Sequence, residues 1–270
     1  MYKNKVLIVF IVSLFFLVCK IDHGLAPLPG KLIVEVSFRG TPPEDTEGIY
    51  LIVAPQFPPH AINELYHSPN SLPINKKEVI TELALPYGHY DALSLWWYST
   101  ETKANLADVL ALPLDPYNNL RPLGFDLSPQ NPVYHMKLSA NWLRVDRDSA
   151  IEGTIYFNGP FPANTLATAV AAYVVEPTEP IHYLTFLKSI DFSINKNPYH
   201  YRLPLRHGSV KYLAVFWLPE KANLTDFEVI GVYMDPNNPQ QYGKLSLKPN
   251  QTLTGIDIYA DWSKIQGGTP

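Results

Sequence analysis

One pattern is written twice along this chain. Ala84-Leu85-Pro86 leads to Leu93-Ser94-Leu95-Trp96-Trp97, then to Lys103-Ala104-Asn105-Leu106, Asp115-Pro116, Ser128-Pro129 and Ala140-Asn141-Trp142. Leu203-Pro204 leads to Leu213-Ala214-Val215-Phe216-Trp217, then to Lys221-Ala222-Asn223-Leu224, Asp235-Pro236, Lys248-Pro249 and Ala260-Asp261-Trp262. An offset that holds at about 118 to 120 residues over so many landmarks marks an internal duplication. In a chain of 270 residues, a unit of this size predicts two domains, each long enough to bury its own core. Aromatics at 13%, 26 prolines and only 17% charged residues favour strands and rigid turns over amphipathic helices, so the fold class is all-β. The net charge is -4, with Lys and Arg scattered, which excludes the basic footprint a nucleic-acid backbone requires.

The N-terminus reads as an export signal. Lys3 and Lys5 precede an apolar run, Val6 to Val18, too short to span a bilayer comfortably and of the length of a signal-peptide hydrophobic region. Cys19, the single cysteine, sits where a bacterial lipoprotein signal places the residue to be lipidated. Phe16-Leu17-Val18 lacks the small residue that signal prefers before the cysteine, so a secretory signal cleaved further on, or an uncleaved anchor, stands as the alternative. Either way the mature body has no disulfide to rely on. The expected layout is a signal over 1–19, a tether over 20–30, domains over 31–143 and 150–263, a linker over 144–149 and a tail over 264–270.

Each domain is expected to hold about seven strands with turns at short intervals, the pattern of a β-sandwich. Leu93, Leu95 and Trp97 share one strand face, as do Leu213, Val215 and Trp217, and both sets are assigned to cores. The opposite faces, Ser94, Trp96 and Tyr98 against Ala214, Phe216 and Leu218, are too apolar for bare solvent and imply a cover. Pro58 to Ser68 and Pro180 to Ser189, each opening at proline, are the expected short helices that supply it.

Leu85-Pro86-Tyr87-Gly88-His89-Tyr90, followed by an alternating strand, resembles the turn that enters a central strand in prealbumin-like and carboxypeptidase-regulatory-like sandwich domains. In the second copy Leu203-Pro204 is kept and the glycine, Gly208, falls two residues later. The run Gly231-Val232-Tyr233, Asp235-Pro236-Asn237-Asn238-Pro239 and Gly255 to Trp262 is similar to bacterial envelope lipoproteins that carry this sandwich. The resemblance implies an Ig-like/prealbumin-like β-sandwich, and no catalytic residues come with it.

Signatures of acyl transfer, zinc hydrolysis, phosphate binding and thiol chemistry are absent from the sequence. Asp115, Asn118, Asp235 and Asn238 offer hard oxygens to calcium, but lack the spacing of a dedicated loop and suit a plain turn equally. Trp96, Tyr98 and Tyr117 are the candidate aromatic platform for a ligand, whereas Trp142 and Trp262, common to both copies, read as core. His60, His182, His89 and His207 read as loop histidines, and Glu44, Asp45 and Glu47 as a solvated turn. The expectation is a non-enzymatic module without cofactor, exported to the cell envelope and held at a membrane by a lipid anchor, in the outer membrane or facing the periplasm. Its partner would be an envelope protein or a glycan, and the alternative function is a carbohydrate-binding module with exposed aromatics on one sandwich face.

Overall fold

The strands predicted from alternation pair into two sandwiches that follow one another in a computed structural model, which describes residues 29–101, 106–220 and 227–265. The first half begins with β1 (Gly30–Arg39), β2 (Thr46–Ala54), β3 (Tyr66–His67), β4 (Glu78–Leu85), β5 (Gly88–Tyr90) and β6 (Ala92–Ser99). It continues with β7 (Val109–Ala111), β8 (Leu114–Asp115), β9 (Asn118–Pro122), β10 (Phe125–Leu127) and β11 (Val133–Asn141). The second half has β12 (Ser149–Asn158), β13 (Thr165–Tyr173), a one-turn helix His182–Thr185, β14 (Leu187–Asp191), β15 (Tyr199–Leu205) and β16 (Gly208–Val210). After these come β17 (Tyr212–Pro219), β18 (Glu228–Val232), β19 (Met234–Asp235), β20 (Asn238–Tyr242), β21 (Leu245–Leu247), β22 (Thr252–Leu253) and β23 (Ile258–Asp261).

The two halves repeat one strand order. A three-stranded sheet β11-β1-β4 faces a four-stranded sheet β3-β2-β6-β7, and β23-β12-β15 faces β14-β13-β17-β18 in the same way. In both, the first strand lies between an antiparallel neighbour and the parallel closing strand. That gives seven principal strands on each side, with short two-stranded ladders beside them. In the second half the sheets also join at one edge through Gly231 and Ala260. Leu93, Leu95 and Trp97, and Leu213, Val215 and Trp217, are all buried between the layers. A buried indole N–H needs an acceptor, and both halves provide the same one: Trp97 Nε1 donates to Thr46 Oγ1 at 2.9 Å and Trp217 Nε1 to Thr165 Oγ1 at 2.8 Å. Trp142 and Trp262 are buried as well, each opening a 3-10 turn capped by the side chain of Asn141 or Asp261.

Three local expectations change. The segment from Pro58 forms only a 3-10 turn, Ile62–Glu64, while its counterpart is helical at His182–Thr185. The helix is held by buried Ile181, by His182 stacked on Phe186 at 4.2 Å, and by Tyr183 against Phe216. In the turn motif, Gly88 and Gly208 both open the short strand that follows, so the glycine keeps its place and Leu203-Pro204 is the displaced pair. Pro204 lies in β15, an edge strand, where a missing N–H is tolerated. The closing strand of the second half is broken into β22 and β23, with Gly255 at φ +73 between them. There the Ile256 carbonyl turns inward to accept from Tyr201 Oη at 2.6 Å, filling the space a side chain at Gly153 would need.

Residues 144–149, expected as a polar linker, pin the halves together. The Arg147 side chain is 16% exposed and reaches Asp108, itself 3% exposed, at 3.1 Å. It also donates to the Ala107 and Arg144 carbonyls and lies over the Trp97 ring. Ala107 in turn packs into the cluster of Ala169, Ala171, Tyr173 and Phe216 on the outer face of the second half. Burial pushes the Asp148 carboxyl up, but hydrogen bonds from the His207 N–H and ring and from Ser149 outweigh it, leaving that carboxyl below its usual range.

Candidate functional site

Pairing of β5 with β10 sets His89 directly opposite Asp126. Opposed residues in an antiparallel ladder project to the same face, and there His89 Nδ1 meets Asp126 Oδ1 at 2.9 Å. Two residues along, on the same side, Asp91 Oδ1 meets His89 Nε2 at 3.0 Å. The second oxygen of Asp91 accepts from the Phe57 N–H at 2.8 Å, which ties the segment after β2 to the same place. The Asp-Pro loop closes the other wall: Asp115 accepts from the Tyr117 N–H at 2.9 Å and from Arg121 Nε at 2.7 Å. Together they frame a concavity of about 370 Å³, lined also by Pro116, Leu123 and Gly124. Tyr90 steadies its floor, donating from its hydroxyl to the Pro86 carbonyl at 2.7 Å and stacking on Phe125 at 5.0 Å.

An imidazole that meets a carboxylate at each nitrogen donates from both only as the imidazolium. The hydrogen bond to Asp126 raises the His89 pKa, burial pulls it back in part, and the bond to Asp91 adds to the rise. The Tyr117 N–H first, and then the Arg121 guanidinium, hold the Asp115 carboxyl below its usual range. The site therefore gathers three carboxylates, one guanidinium and an imidazole held between two of those carboxylates, open to solvent.

The aromatic candidates separate. Tyr117 stands at the mouth of this concavity and is 97% exposed. Trp96 and Tyr98 lie instead on the outer face of the four-stranded sheet, both half-buried, with Trp96 opposite Tyr50 in register and Tyr98 edge-on to Tyr50 at 5.2 Å. They present no pair of coplanar rings. The oxygens considered for calcium serve their own turns: Asp115 as above, Asn118 accepting from the Leu120 N–H, Asp235 from the Asn237 N–H and Asn238 from the Gln240 N–H. Among the described residues, no group of three His, Cys, Asp or Glu is placed to hold a metal ion. Cys19 and the whole export segment lie outside the described residues, as do Lys103 to Asn105, Lys221 to Leu224 and the last five residues of the tail.

The meeting of His89 with two carboxylates was not read from the sequence, where His89 counted as one of several loop histidines. A signal was present in the comparison of copies. His89, Asp91, Tyr117, Arg121 and Asp126 occupy positions where the matching strands and loop of the second half carry Ser209, Lys211, Asn237, Gln241 and Ser246.

No family model matches the sequence, and no curated protein does. Among solved structures, the chain is similar to a leucine-rich repeat protein from Bacteroides thetaiotaomicron, with 10% identity and a TM-score of 0.33 over 86% of this chain and 26% of that one. The chain thus spans about a quarter of that protein's length. It is similar to an adhesin-like protein from Bacteroides ovatus, with 10% identity and a TM-score of 0.27, over 90% of this chain and 95% of the other. The minor pilin GBS52 of Streptococcus agalactiae gives 10% identity and 0.26, over 88% and 98%. Scores this low register common strand content, and sandwiches of this kind host many unrelated roles.

Proposed function

We propose that the protein is a non-enzymatic module of the cell envelope, exported and tethered through Cys19, in which two copies of a prealbumin-like sandwich hold the loop end of the first copy toward a partner. The observation that carries this reading is the polar cluster around His89, in which His89, Asp91, Arg121 and Asp126 give way to Ser209, Lys211, Gln241 and Ser246 in the other copy, while Asp115 of the adjoining turn is kept as Asp235. What two copies share serves folding, so a cluster that one copy lacks is surplus to it. Binding suits the cluster better than catalysis, because both nitrogens of His89 are occupied by carboxylates and the lining of the concavity holds no Ser, Thr or Cys to act as nucleophile. The domain limits 31–143 and 150–263 and the lipid anchor belong to the same proposal. Among the described residues no helix is long and apolar enough to cross a membrane. A glycan platform on Trp96 and Tyr98 has less support, since those rings are half-buried and Tyr98 meets Tyr50 edge to face.

The test is co-sedimentation of the purified chain with envelope fragments of the source organism, beside a variant carrying the second copy's residues, His89→Ser, Arg121→Gln and Asp126→Ser together. The expected result is retention of the wild type and at least about tenfold weaker retention of the variant. Equal retention of the two would overturn the assignment of the binding end.

A further inference from the structure

The outer face of the three-stranded sheet differs between the halves in a way the pocket does not explain. In the first half it carries paired charges, Lys31 with Glu82 at 2.8 Å and Lys137 with Glu35 at 2.9 Å, beside exposed Ile80 and Val133, and where β1 meets β11 the residues in register are Ser37 and Ser139. In the second half the same register position on β12 and β23 holds Tyr156 and Tyr259. Their rings stack at 5.4 Å with 21° between planes, and they are 39% and 75% exposed. A cross-strand aromatic pair adds up to about 1 kcal/mol to a sheet, but the serine pair shows that this fold closes without one. Two large stacked rings left in water where the other half has serines are not required by the packing of this fold.

Beside the rings lie Asn158, Asp261 and Lys264, and the five side chains border an open depression of about 440 Å³. The Asn158 amide lies 3.4 Å from Asp261 Oδ1, which also accepts from the Ser263 N–H at 2.9 Å. An amide, a carboxylate and an ammonium around apolar rings offer donors and acceptors in a ring-faced setting with formal charges that cancel. We propose that Tyr156 and Tyr259, with Asn158, Asp261 and Lys264 at their rim, form a binding platform for an uncharged carbohydrate, one sugar ring lying on the exposed tyrosine face and its hydroxyls meeting the rim. A flat ring covers the apolar face of a sugar with little side-chain entropy lost. A polyanion is disfavoured because the rim has one cation against one anion, where phosphate-rich ligands need a clear excess of Lys and Arg. A second copy of the chain is disfavoured by area: a fully enclosed tyrosine buries about 150–250 Å², and two partly covered ones fall far short of the roughly 800 Å² per partner of a stable interface. This inference does not rest on the His89 pocket and stands or falls separately.

Affinity electrophoresis of the full chain in gels containing a soluble β-glucan, a xylan or a mannan tests it, beside Tyr259→Ser and Tyr156→Ser, which carry the first copy's residues, and Tyr259→Phe, which keeps the ring. The expected result is retardation of the wild type by at least one of the three polysaccharides, kept in Tyr259→Phe and weakened at least about tenfold in both serine variants. A single cooperative unfolding transition in all four proteins, lowered in the serine variants by no more than the lost ring pair contributes, establishes that the loss is one of binding. Absence of retardation by all three probes overturns the proposal, as does undiminished retardation of the serine variants. Dimerisation of the wild type that Tyr259→Ser abolishes, seen by sedimentation velocity without any retardation, overturns it in favour of a self-contact.

Discussion

Where the first half sets His89 against Asp126, the second sets Ser209 against Ser246; where the second stacks Tyr156 on Tyr259, the first pairs Ser37 with Ser139. The backbone registers around both places are the same. Against this, the buried tryptophan that donates to a threonine hydroxyl is found in both halves, as are the seven principal strands and the parallel closing strand. The contrast divides the molecule into a frame that each half must have and two surface features that each half can do without. It also exposes an asymmetry of cover: the outer face around Phe216 is sealed by Tyr183, Phe227 and Ala107, whereas the matching face around Trp96 stays half-buried.

The largest effects are expected where the halves agree. Trp97→Ala and Trp217→Ala should each cost about 3–5 kcal/mol, the range for truncating a buried aromatic, and by similar amounts. Urea unfolding followed by circular dichroism measures both, and a cost confined to one of them would break the equivalence of the two cores. Next comes the joint. Arg147→Ala leaves Asp108 buried without its guanidinium and should cost about 3 kcal/mol. It should also separate the unfolding of the two halves into two transitions in the same urea experiment, whereas one unshifted transition would deny the joint its role. The smallest effect belongs to His89. Its folded-state pKa is raised above the ordinary histidine value of about 6.5, so the stability it contributes is complete below that value and is lost as pH rises through the folded pKa. The ring is largely exposed and solvent screens the pair, so the change should be a few tenths of a kcal/mol. It should be read as a fall in urea midpoint between about pH 6 and about pH 9 that His89→Ser removes.

Much of the frame was legible because it rests on strand alternation. Leu93, Leu95 and Trp97 fall on one face by period alone, and their partners in the second copy do the same, so core and strand count followed. What was not legible depends on which strands become neighbours. His89 and Asp126 are 37 residues apart, and no local period reports that β5 and β10 will pair. Tyr156 and Tyr259 are brought side by side only by the parallel pairing of a first and a last strand. Residues 144–149 were read as a linker because they are polar and charged, a reading that left a fixed or a mobile pair open, while the burial of Arg147 and Asp148 depends on Asp108 and His207 from distant loops. The helix after β2 was expected in both halves from its opening proline, but only the second half supplies Tyr183 and Phe216 to anchor it. Residue-by-residue comparison of the two copies carries part of this information, since it marks positions where one copy departs from what both need.

The most direct measurement is the equilibrium unfolding free energy of the variant with His89→Ser, Arg121→Gln and Asp126→Ser, taken in urea beside wild type and Trp97→Ala. If the cluster is a feature added to a complete frame, the triple variant should lie within about 1 kcal/mol of wild type, as exposed ion pairs do, and Trp97→Ala far below it. A loss in the triple variant as large as that of Trp97→Ala would contradict the account, because it would make the His89 cluster part of what holds the first half together.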